Sequence, residues 1–195
     1  MKNIPFSLLV LFIVACKKST VVPNPLPQLP PNMQYKDLGD SSIRFGKSAS
    51  YDLNNDGEKD ILFSTQLVGD PIEQKDKRQW LITSSFNTNL PVNNAEQTPA
   101  MYYNEQILLT SFAGNNWYNA SQVKLSQKTI TMSLPPYWEG NWTDASHRYI
   151  AFQIKKQDRL YNGWVEVSFS TANERLIIHR AAVSTEADRH ISAGL

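Results

Sequence analysis

The sequence predicts an all-β fold, most simply a β-sandwich of about 8–10 strands, with a β-barrel as the alternative. Apolar and polar residues alternate over many short segments, which is the pattern of half-buried strands. The 11 Pro and 8 Gly are spread along the chain and supply frequent turns. Helical periodicity is weak throughout the sequence, and residues 185–190 are its one candidate.

The strand candidates follow one another along most of the chain. Apolar residues share one parity on each side of the first polar loop, as at Ile43 before it and Phe63 after it. The later candidates are residues 78–86, 105–112, 121–126, 128–134, 148–156, 163–170 and 175–183. Trp80 and Trp164 stand in the middle of two of these patterns, so we expect both indole rings in the hydrophobic core.

Length and charge limit the class of protein. With 195 residues, 41% of them hydrophobic, the chain can form one globular domain with a substantial core. We assign that domain to residues 35–195. The 19 Lys and Arg residues nearly balance the 18 Asp and Glu residues, so no basic surplus exists to neutralise phosphates. We therefore expect no nucleic acid partner.

The first residues have the features of a secretory signal peptide, which we assign to residues 1–15. Lys2 supplies a positive start, and a predominantly apolar stretch of 11 residues follows, from residue 4 to residue 14. This stretch is too short to span a bilayer. Cys16, the one cysteine of the chain, comes directly after it. A plain secretory signal with an incidental cysteine is one interpretation of this pattern.

The sequence Ile13-Val14-Ala15-Cys16 resembles the lipobox of bacterial lipoproteins. The resemblance implies that the signal peptide is cut before Cys16 and that this cysteine carries lipids, which hold the protein at the membrane. A lipidated Cys16 leaves no thiol for a disulfide, a metal or nucleophilic catalysis. Lys17 and Lys18 follow where an Asp commonly retains such lipoproteins at the inner membrane. We therefore expect the outer membrane, and its periplasmic and surface faces both remain open.

Residues 16–34 form a proline-rich tether in this interpretation, with five prolines between Pro23 and Pro31. Proline-rich chain is extended and stiff at about 3.1 Å per residue, so the segment can hold the domain up to roughly 50 Å from the membrane. A ligand for a proline-recognition domain is the alternative.

The segment DLNNDGEKD, residues 52–60, has the oxygen donors and the glycine that a calcium loop requires. Calcium takes about six to eight oxygens, and a tight loop supplies them from alternate side chains, a backbone carbonyl and a further carboxylate. Gly57 permits the sharp turn. The predicted ligands are the side chains of Asp52, Asn54, Asp56 and Asp60 and the carbonyl of Glu58. A polar Asn-Asp-Gly hairpin turn with solvated acids is the alternative.

The loop is not a complete EF-hand. Phe63 stands at position 12, where a bidentate Glu is required, and a strand pattern follows in place of a helix. The spacing resembles the shortened calcium loops of FG-GAP propeller repeats, in which an Asp at position 9 completes the site, as Asp60 does here. The motif occurs once in the sequence, so a propeller of several repeats is not predicted.

The C-terminal segment from His147 onward resembles the closing segment of secreted bacterial proteins called choice-of-anchor domain proteins. Tyr161, Gly163 and Trp164 carry the match, with one residue inserted in the Tyr-Gly-Trp string of that family. An alternating strand follows, and Ala193-Gly194 stands at the end. The resemblance implies a secreted or anchored β-sandwich, and it transfers no catalytic residue.

The polar residues give little support for catalysis, and we expect a protein that is not an enzyme. The three histidines lack the spacing of metal ligands, and the sequence has neither a G-x-S-x-G elbow nor a phosphate-binding glycine loop. Carboxylate pairs for glycoside hydrolysis need only be near in space. The candidates for such a pair are Glu139, Asp144 and Glu166. Acids on strands and turns are more often simply solvated.

Residues 133–149 form the other notable cluster, a loop with Pro and Gly that carries Tyr137, Trp138 and Trp142. Aromatic faces beside polar edges suit sugar rings, so these residues predict a surface for carbohydrate or another envelope ligand. The pair Trp117-Tyr118 could extend that surface. The alternative is that the rings close the end of the sandwich as a hydrophobic cluster.

Two functions therefore remain open at the level of sequence. The first is a membrane-anchored binding protein whose calcium ion stiffens a hairpin distant from the aromatic loop. The second is a structural or protein-interaction lipoprotein without a small-ligand site, whose partner is an envelope protein. Exposure separates the two functions, because burial of Trp138 and Trp142 would remove the site that the first one requires.

Overall fold

The computed structural model describes residues 29–195, which form antiparallel β-strands joined by turns. The signal peptide, Cys16 and the tether as far as residue 28 lie outside the described residues. The strands are β1 (Met33–Arg44), β2 (Ala49–Tyr51), β3 (Ile61–Asp70), β4 (Lys75–Ser84), β5 (Thr88–Val92), β6 (Gln106–Ile107), β7 (Asn116–Asn119), β8 (Gln122–Thr131), β9 (Tyr137–Glu139), β10 (Arg148–Lys156), β11 (Arg159–Ser170), β12 (Arg175–Ser184) and β13 (Ile191–Ser192). This part of the chain contains no helix that is long and apolar enough to cross a membrane.

Most of these strands belong to two sheets that pack face to face. The six-stranded sheet has the order β1-β12-β11-β10-β5-β7, and the five-stranded sheet has the order β2-β3-β4-β8-β9. Both sheets are open at their edges, so the predicted β-sandwich is confirmed and the barrel alternative is wrong. Residues 29–195 contain 13 strands, more than expected, because the short strands β5, β7, β9 and β13 lie outside the predicted segments. Of the predicted strand 105–112 only β6 forms, and the predicted strands 121–126 and 128–134 are replaced by the single strand β8.

The hydrophobic core lies between the two sheets. Alternate residues of each strand point inward, as Phe63 and Trp80 do from the five-stranded sheet and Val165 and Val167 do from the six-stranded sheet. Trp80 is fully buried, and its Nε1 donates to the carbonyl of Ile43 at 3.1 Å, which satisfies the one polar atom of the ring. The core position expected for Trp80 is confirmed.

A second apolar cluster covers the opposite face of the six-stranded sheet. Tyr149 and Trp164 lie there with ring centroids 5.2 Å apart, under a C-terminal segment that contributes Ile191 and Ala193. The Nε1 of Trp164 donates to the carbonyl of Leu195 at 3.1 Å, which fixes the chain end over the ring. The expected burial of Trp164 is therefore confirmed, and this sheet is covered on both faces.

The segment before β13 also holds the end of the tether. The Asn32 N–H donates to Glu186 Oε1 at 3.0 Å, and Arg189 Nη2 donates to the carbonyl of Leu29 at 2.7 Å. Strand β1 then begins at Met33, two residues before the predicted domain boundary.

Residues 185–190, the one helix candidate, form bends and turns. The Asp188 N–H donates to the carbonyl of Leu160 on β11 at 2.7 Å, and the φ of Asp188 is +56°. Because this hydrogen bond runs to a neighbouring strand and not along a helix, the helix expectation is wrong.

The two ends of the sandwich carry different features. At the end that we call the loop end, Lys36 near the start of β1 donates to the carbonyl of Asp52 at 2.5 Å, so the polar loop lies beside the tether. At the opposite end, the hairpin end, Glu174 of the β11–β12 turn pairs with Lys128 of β8. Residues 66–74 of the β3–β4 hairpin are mostly exposed there.

Candidate functional site

The loop between β2 and β3 is folded around its own backbone amides. Asp52 Oδ2 accepts a hydrogen bond from the Gly57 N–H at 2.9 Å. Asn54 Oδ1 accepts one from the Asp56 N–H at 3.0 Å, and Asp56 Oδ1 accepts one from the Glu58 N–H at 3.0 Å. The φ of Gly57 is +94°, a conformation that glycine adopts without strain. The side chains predicted for calcium at positions 1, 3 and 5 of the loop therefore lie in one tight turn.

Asp60 closes the loop from the buried side. It is only 4% exposed, its Oδ2 accepts from the Leu53 N–H at 2.6 Å, and its Oδ1 lies 3.4 Å from the Thr88 hydroxyl. The carbonyl of Asp60 accepts from the Ser85 N–H at 2.8 Å. Burial raises the pKa of Asp60, and the nearby charge of Asp56 adds to that effect against the Leu53 hydrogen bond. Because Thr88 begins β5, Asp60 joins the loop to the six-stranded sheet.

One buried oxygen of the loop has no protein partner. Asp52 Oδ1 is inaccessible to solvent and forms no hydrogen bond within the described part of the chain. Burial opposes the charge of Asp52, but the N–H groups of Gly57 and Asn55 and the charge of Lys36 outweigh it, so the pKa of Asp52 lies below its ordinary value. Asp52 is thus an anion with one oxygen that a cation would satisfy.

These observations fit a calcium ion. The side chains of Asp52, Asn54, Asp56 and Asp60 and the carbonyl of Glu58 would hold it, all of them hard oxygen donors. In residues 29–195, no group of three His, Cys, Asp or Glu side chains is positioned to hold a metal alone. Asp52, Asp56 and Asp60 thus do not form such a group by themselves, and the two further predicted donors, the Asn54 amide oxygen and the Glu58 carbonyl, are of a kind that suits calcium better than zinc. Calcium binding stays a prediction.

The predicted aromatic surface is not formed, because its rings point in different directions. Trp142 is fully buried in the core between the sheets, and its Nε1 donates to the carbonyl of Thr98 at 3.2 Å. Trp138 is partly buried, with its ring centroid 5.4 Å from that of Trp80. Tyr137 is 41% exposed. The expectation that Trp138 and Trp142 line an exposed ligand surface is wrong.

A close backbone approach explains why this loop turns inward. Gly140 has a φ of +121°, and a Cβ there would lie 2.5 Å from the carbonyl oxygen of Leu125 on β8. Glycine allows the approach, and the Trp142 N–H then lies 3.4 Å from the same carbonyl. The pair Trp117-Tyr118 lies on β7, at the edge of the other sheet, so it does not extend a surface around Tyr137.

A polar cluster that the sequence did not indicate lies on the outer face of the six-stranded sheet. The rings of His147 and His179 are stacked, with centroids 4.4 Å apart and planes 18° apart. Glu166 contacts His147 Nδ1 at 2.7 Å and Arg180 Nε at 2.6 Å, and Asp40 contacts His179 Nδ1 at 2.6 Å. Burial opposes the charge of Glu166, but Arg180 and His147 outweigh it and hold the pKa of Glu166 below its ordinary value.

Ser168, His179 and Asp40 are arranged in the order of a nucleophile relay. Ser168 Oγ is 2.8 Å from His179 Nε2, and Nδ1 of the same ring faces Asp40. Ser168 Oγ also accepts from the His147 N–H at 2.9 Å, and the His147 ring lies over His179. These contacts occupy the hydroxyl and one face of the imidazole. The geometry therefore fits a structural role, in which Ser168 and His179 hold the segment before β10 against the sheet, better than nucleophilic attack.

One local signal for this cluster was present in the sequence. Glu166 and Ser168 alternate with Val165 and Val167, so their side chains point away from the core. The histidine partners come from other segments of the chain, and alternation alone does not pair them with β11.

The three carboxylates considered for glycoside chemistry do not form one set. Glu139 lies on β9 of the five-stranded sheet, where its Oε2 accepts from the Gln127 amide at 3.0 Å. Glu166 lies on β11 of the other sheet. Asp144 accepts from the hydroxyl of Thr171 at 2.7 Å and from its N–H at 3.0 Å, and these bonds hold the pKa of Asp144 below its ordinary value. No two of these three acids share a hydrogen-bonding partner.

Comparison of the chain with known proteins finds no matching family model, no matching curated protein and no matching solved structure.

Proposed function

We propose that this chain is an outer-membrane lipoprotein that acts as a structural or protein-interaction module and carries out no catalysis. The burial of Trp142 is the observation that supports this function over carbohydrate binding, because the aromatic platform for a sugar ring is then missing. The cluster around His179 also supports it, since its side chains are already paired with one another. Such a protein acts through a surface and needs no enclosed pocket.

In this proposal a lipidated Cys16 holds the protein at the membrane. Each buried methylene contributes about 0.8 kcal/mol, so one acyl chain holds only weakly and two or three hold firmly. The contact between Asn32 and Glu186 fixes the point at which the tether enters the domain. Because Lys36 near the start of β1 contacts the polar loop, the tether enters the domain at the loop end.

Calcium has a structural role in this proposal. Asp60 contacts Ser85 and Thr88, which lead into β5 of the six-stranded sheet, while the loop itself joins β2 to β3 of the five-stranded sheet. An ion in the loop would therefore tie one sheet to the other at the loop end. Extracellular calcium modules bind with a Kd of about 10⁻⁴ to 10⁻³ M, which suits a protein outside the cytoplasm.

Cell fractionation after labelling with radioactive palmitate tests the anchor. The parent chain is expected in the membrane fraction, with label that salt does not extract. Cys16→Ser is expected in the soluble fraction without label. Ser19→Ala lies close to the same site and is the matched control, which should behave as the parent does. Equal labelling and equal membrane retention of Cys16→Ser and the parent would contradict the proposal.

An oligosaccharide array tests the choice between an interaction module and a sugar-binding module. The full chain in detergent is expected to bind no oligosaccharide, because Trp142 is buried and Trp138 is partly buried, which leaves Tyr137 as the one exposed ring of the three predicted ligand contacts. Binding by the parent chain that is lost in Tyr137→Ala would contradict this expectation and restore the carbohydrate function.

A further inference from the structure

Strand β3 continues past the strand that covers its edge. β2 pairs with residues 61–63, whereas β3 runs on to Asp70. Thr65 is still covered, since its hydroxyl accepts from the Gly46 N–H at 2.8 Å. Within the described chain, no strand and no backbone hydrogen bond meets the outer edge of residues 66–70. This edge therefore presents unpaired backbone N–H and C=O groups to solvent.

The open edge lacks the features that usually prevent pairing with another chain. Residues 66–70, QLVGD, contain neither Pro nor Lys, and their pairing with β4 continues without a bulge. Leu67 is 58% exposed, and Val68 is 38% exposed. The β1 edge differs, because a register shift interrupts it between Asp37 and Ser41. The β3 edge is thus suited to an added strand.

We propose that the β3 edge pairs in antiparallel fashion with the β3 edge of a second copy, about a two-fold axis at Val68. This axis places Val68 opposite Val68 of the second copy. Leu67 then lies opposite Gly69. The one charged residue of the edge, Asp70, lies opposite the amide of Gln66, so no like charges face each other. The inference rests on the proposed function as an interaction protein, and it names the partner.

Charge complementarity favours a second copy over an unrelated strand. Arg44 and Lys47 are exposed at the β1–β2 turn, where Gly46 contacts the covered part of the β3 edge. The antiparallel arrangement brings the hairpin tip of the second copy, which carries Glu73, toward this basic turn. The Glu73 side chain is 55% exposed even with its Lys75 ion pair. The two-fold axis creates this contact twice, once at each end of the paired edges.

The dimer is weak and depends on the membrane. Five paired residues per copy bury less than the roughly 800 Å² per partner of a standard interface. Anchoring confines the copies to one surface and raises their local concentration, which offsets a weak contact. The open edge lies toward the hairpin end, away from the tether. The chain is therefore dimeric at high density on vesicles and monomeric in dilute detergent solution.

Disulfide cross-linking in phospholipid vesicles tests the pairing with the full chain. Val68→Cys is compared with Leu62→Cys, which is equally exposed (37% against 38%) on the same face of β3 but lies beside β2. On mild oxidation, Val68→Cys should give about ten-fold more covalent dimer, because directly opposite Cβ atoms lie within disulfide reach. The parent chain, with Cys16 as its one cysteine, measures the background. Equal cross-linking of the two variants, or none above background, would overturn the dimer.

Reversing the charges of Lys47 and Glu73 provides a second test, which asks whether the contact between the two copies depends on these charges. In the Val68→Cys background, Lys47→Glu should lower the cross-linked fraction about three-fold, and added Glu73→Lys should restore it. An unchanged fraction in Lys47→Glu would overturn the two-fold arrangement. Palmitate labelling of the same samples reports the anchor separately. A labelled chain without cross-linking therefore contradicts the dimer and leaves the proposed anchor standing.

Discussion

The two sheets of the sandwich differ in how many of their faces are covered. Every residue of the six-stranded sheet from Tyr149 to Ile154 on β10 is buried, because the core covers one face and the C-terminal segment covers the other. On β3 of the five-stranded sheet, burial alternates at Ile61, Leu62 and Phe63 and then gives way to exposure. When a hairpin extends beyond the core of a sheet that already has one solvated face, few additional side chains become exposed. The open edge is therefore found on the five-stranded sheet.

The polar residues on the two outer faces differ in the same way. On the five-stranded sheet, the side chains of Gln66, Gln79 and Gln127 form a hydrogen-bonded row. Gln66 Nε2 donates to Gln79 Oε1 at 2.6 Å, and Gln79 Nε2 donates to Gln127 Oε1 at 2.7 Å. Gln127 Nε2 then donates to the carboxylate of Glu139. On the six-stranded sheet, the corresponding polar residues form the charged cluster around Glu166. Gln66 and Glu139, at the two ends of this row, are exposed to water, so their replacement should change the stability little, whereas Glu166 is a buried carboxylate with charged partners.

The largest effect is expected where the two sheets share the core. Trp142→Ala removes a fully buried indole and its hydrogen bond to Thr98, so the free energy of unfolding should fall by about 3–5 kcal/mol. Tyr137→Ala removes an exposed ring from the same loop and should change it by less than about 0.5 kcal/mol. Guanidinium unfolding followed by circular dichroism measures both values. Similar small losses would indicate that the indole is not in the core.

An added methyl group compares the two sheets directly. A Cβ on Gly163 would lie 2.2 Å from the Phe152 ring and 2.6 Å from the carbonyl oxygen of Ala182. Gly163→Ala should therefore lower the free energy of unfolding by about 1–3 kcal/mol. A Cβ on Gly69 would meet Asp76 at 3.6 Å, an ordinary contact, so Gly69→Ala should be neutral or stabilising by up to about 1 kcal/mol. Equal effects in urea unfolding would mean that the two sheets are packed alike.

Calcium tests the link between the sheets at the loop end. At a calcium concentration about ten times the Kd, binding to the native state should raise the free energy of unfolding by about 1.4 kcal/mol. Asp52→Asn removes the charge beside the unpartnered oxygen and should abolish the calcium-dependent rise in melting temperature. Asp76→Asn, at an exposed acid of β4, should keep that rise. A melting curve of the parent that does not move up to about 10 mM calcium would reduce the loop to a turn.

Features that depend on near neighbours in the chain were predictable from the sequence. The alternation around Trp80 and Trp164 has a period of two and is local, so it placed both rings in apolar layers. The hydrogen bonds of Asp52, Asn54 and Asp56 likewise lie within one turn, so the local Asn-Asp-Gly sequence was enough to predict a tight polar turn there.

Features that depend on distant segments were not predictable in the same way. The loop composition around Trp142 indicated exposure, and the reversal at Gly140 that buries the ring depends on the carbonyl of Leu125 on another strand. The cluster around Glu166 combines segments whose alignment is shifted by the β-bulge next to that residue, and a shift of one residue moves side chains to the other face. No local pattern encodes such a shift.

The smallest effect is expected in the polar residues of the outer faces. Glu166→Gln keeps a hydrogen-bonding side chain but removes the charge that Arg180 and His147 contact, so the free energy of unfolding should fall by about 1 kcal/mol at neutral pH. Glu139→Gln, at the end of the amide row on the other sheet, should change it by less than about 0.5 kcal/mol. Urea unfolding of the two variants measures the contrast.

Acidification separates lost charge from lost packing at Glu166. The pKa of Glu166 in the folded chain lies below its ordinary value of 4.5, so its contribution is complete above pH 4.5 and is lost as the pH falls through the lowered value. The difference in unfolding free energy between the parent and Glu166→Gln should therefore shrink in urea titrations carried out in steps below pH 4.5. If the difference in unfolding free energy stays constant over that range, the lower stability of Glu166→Gln comes from altered packing and not from the lost charge. The charged cluster would then stabilise the six-stranded sheet no more than the amide row stabilises the five-stranded sheet.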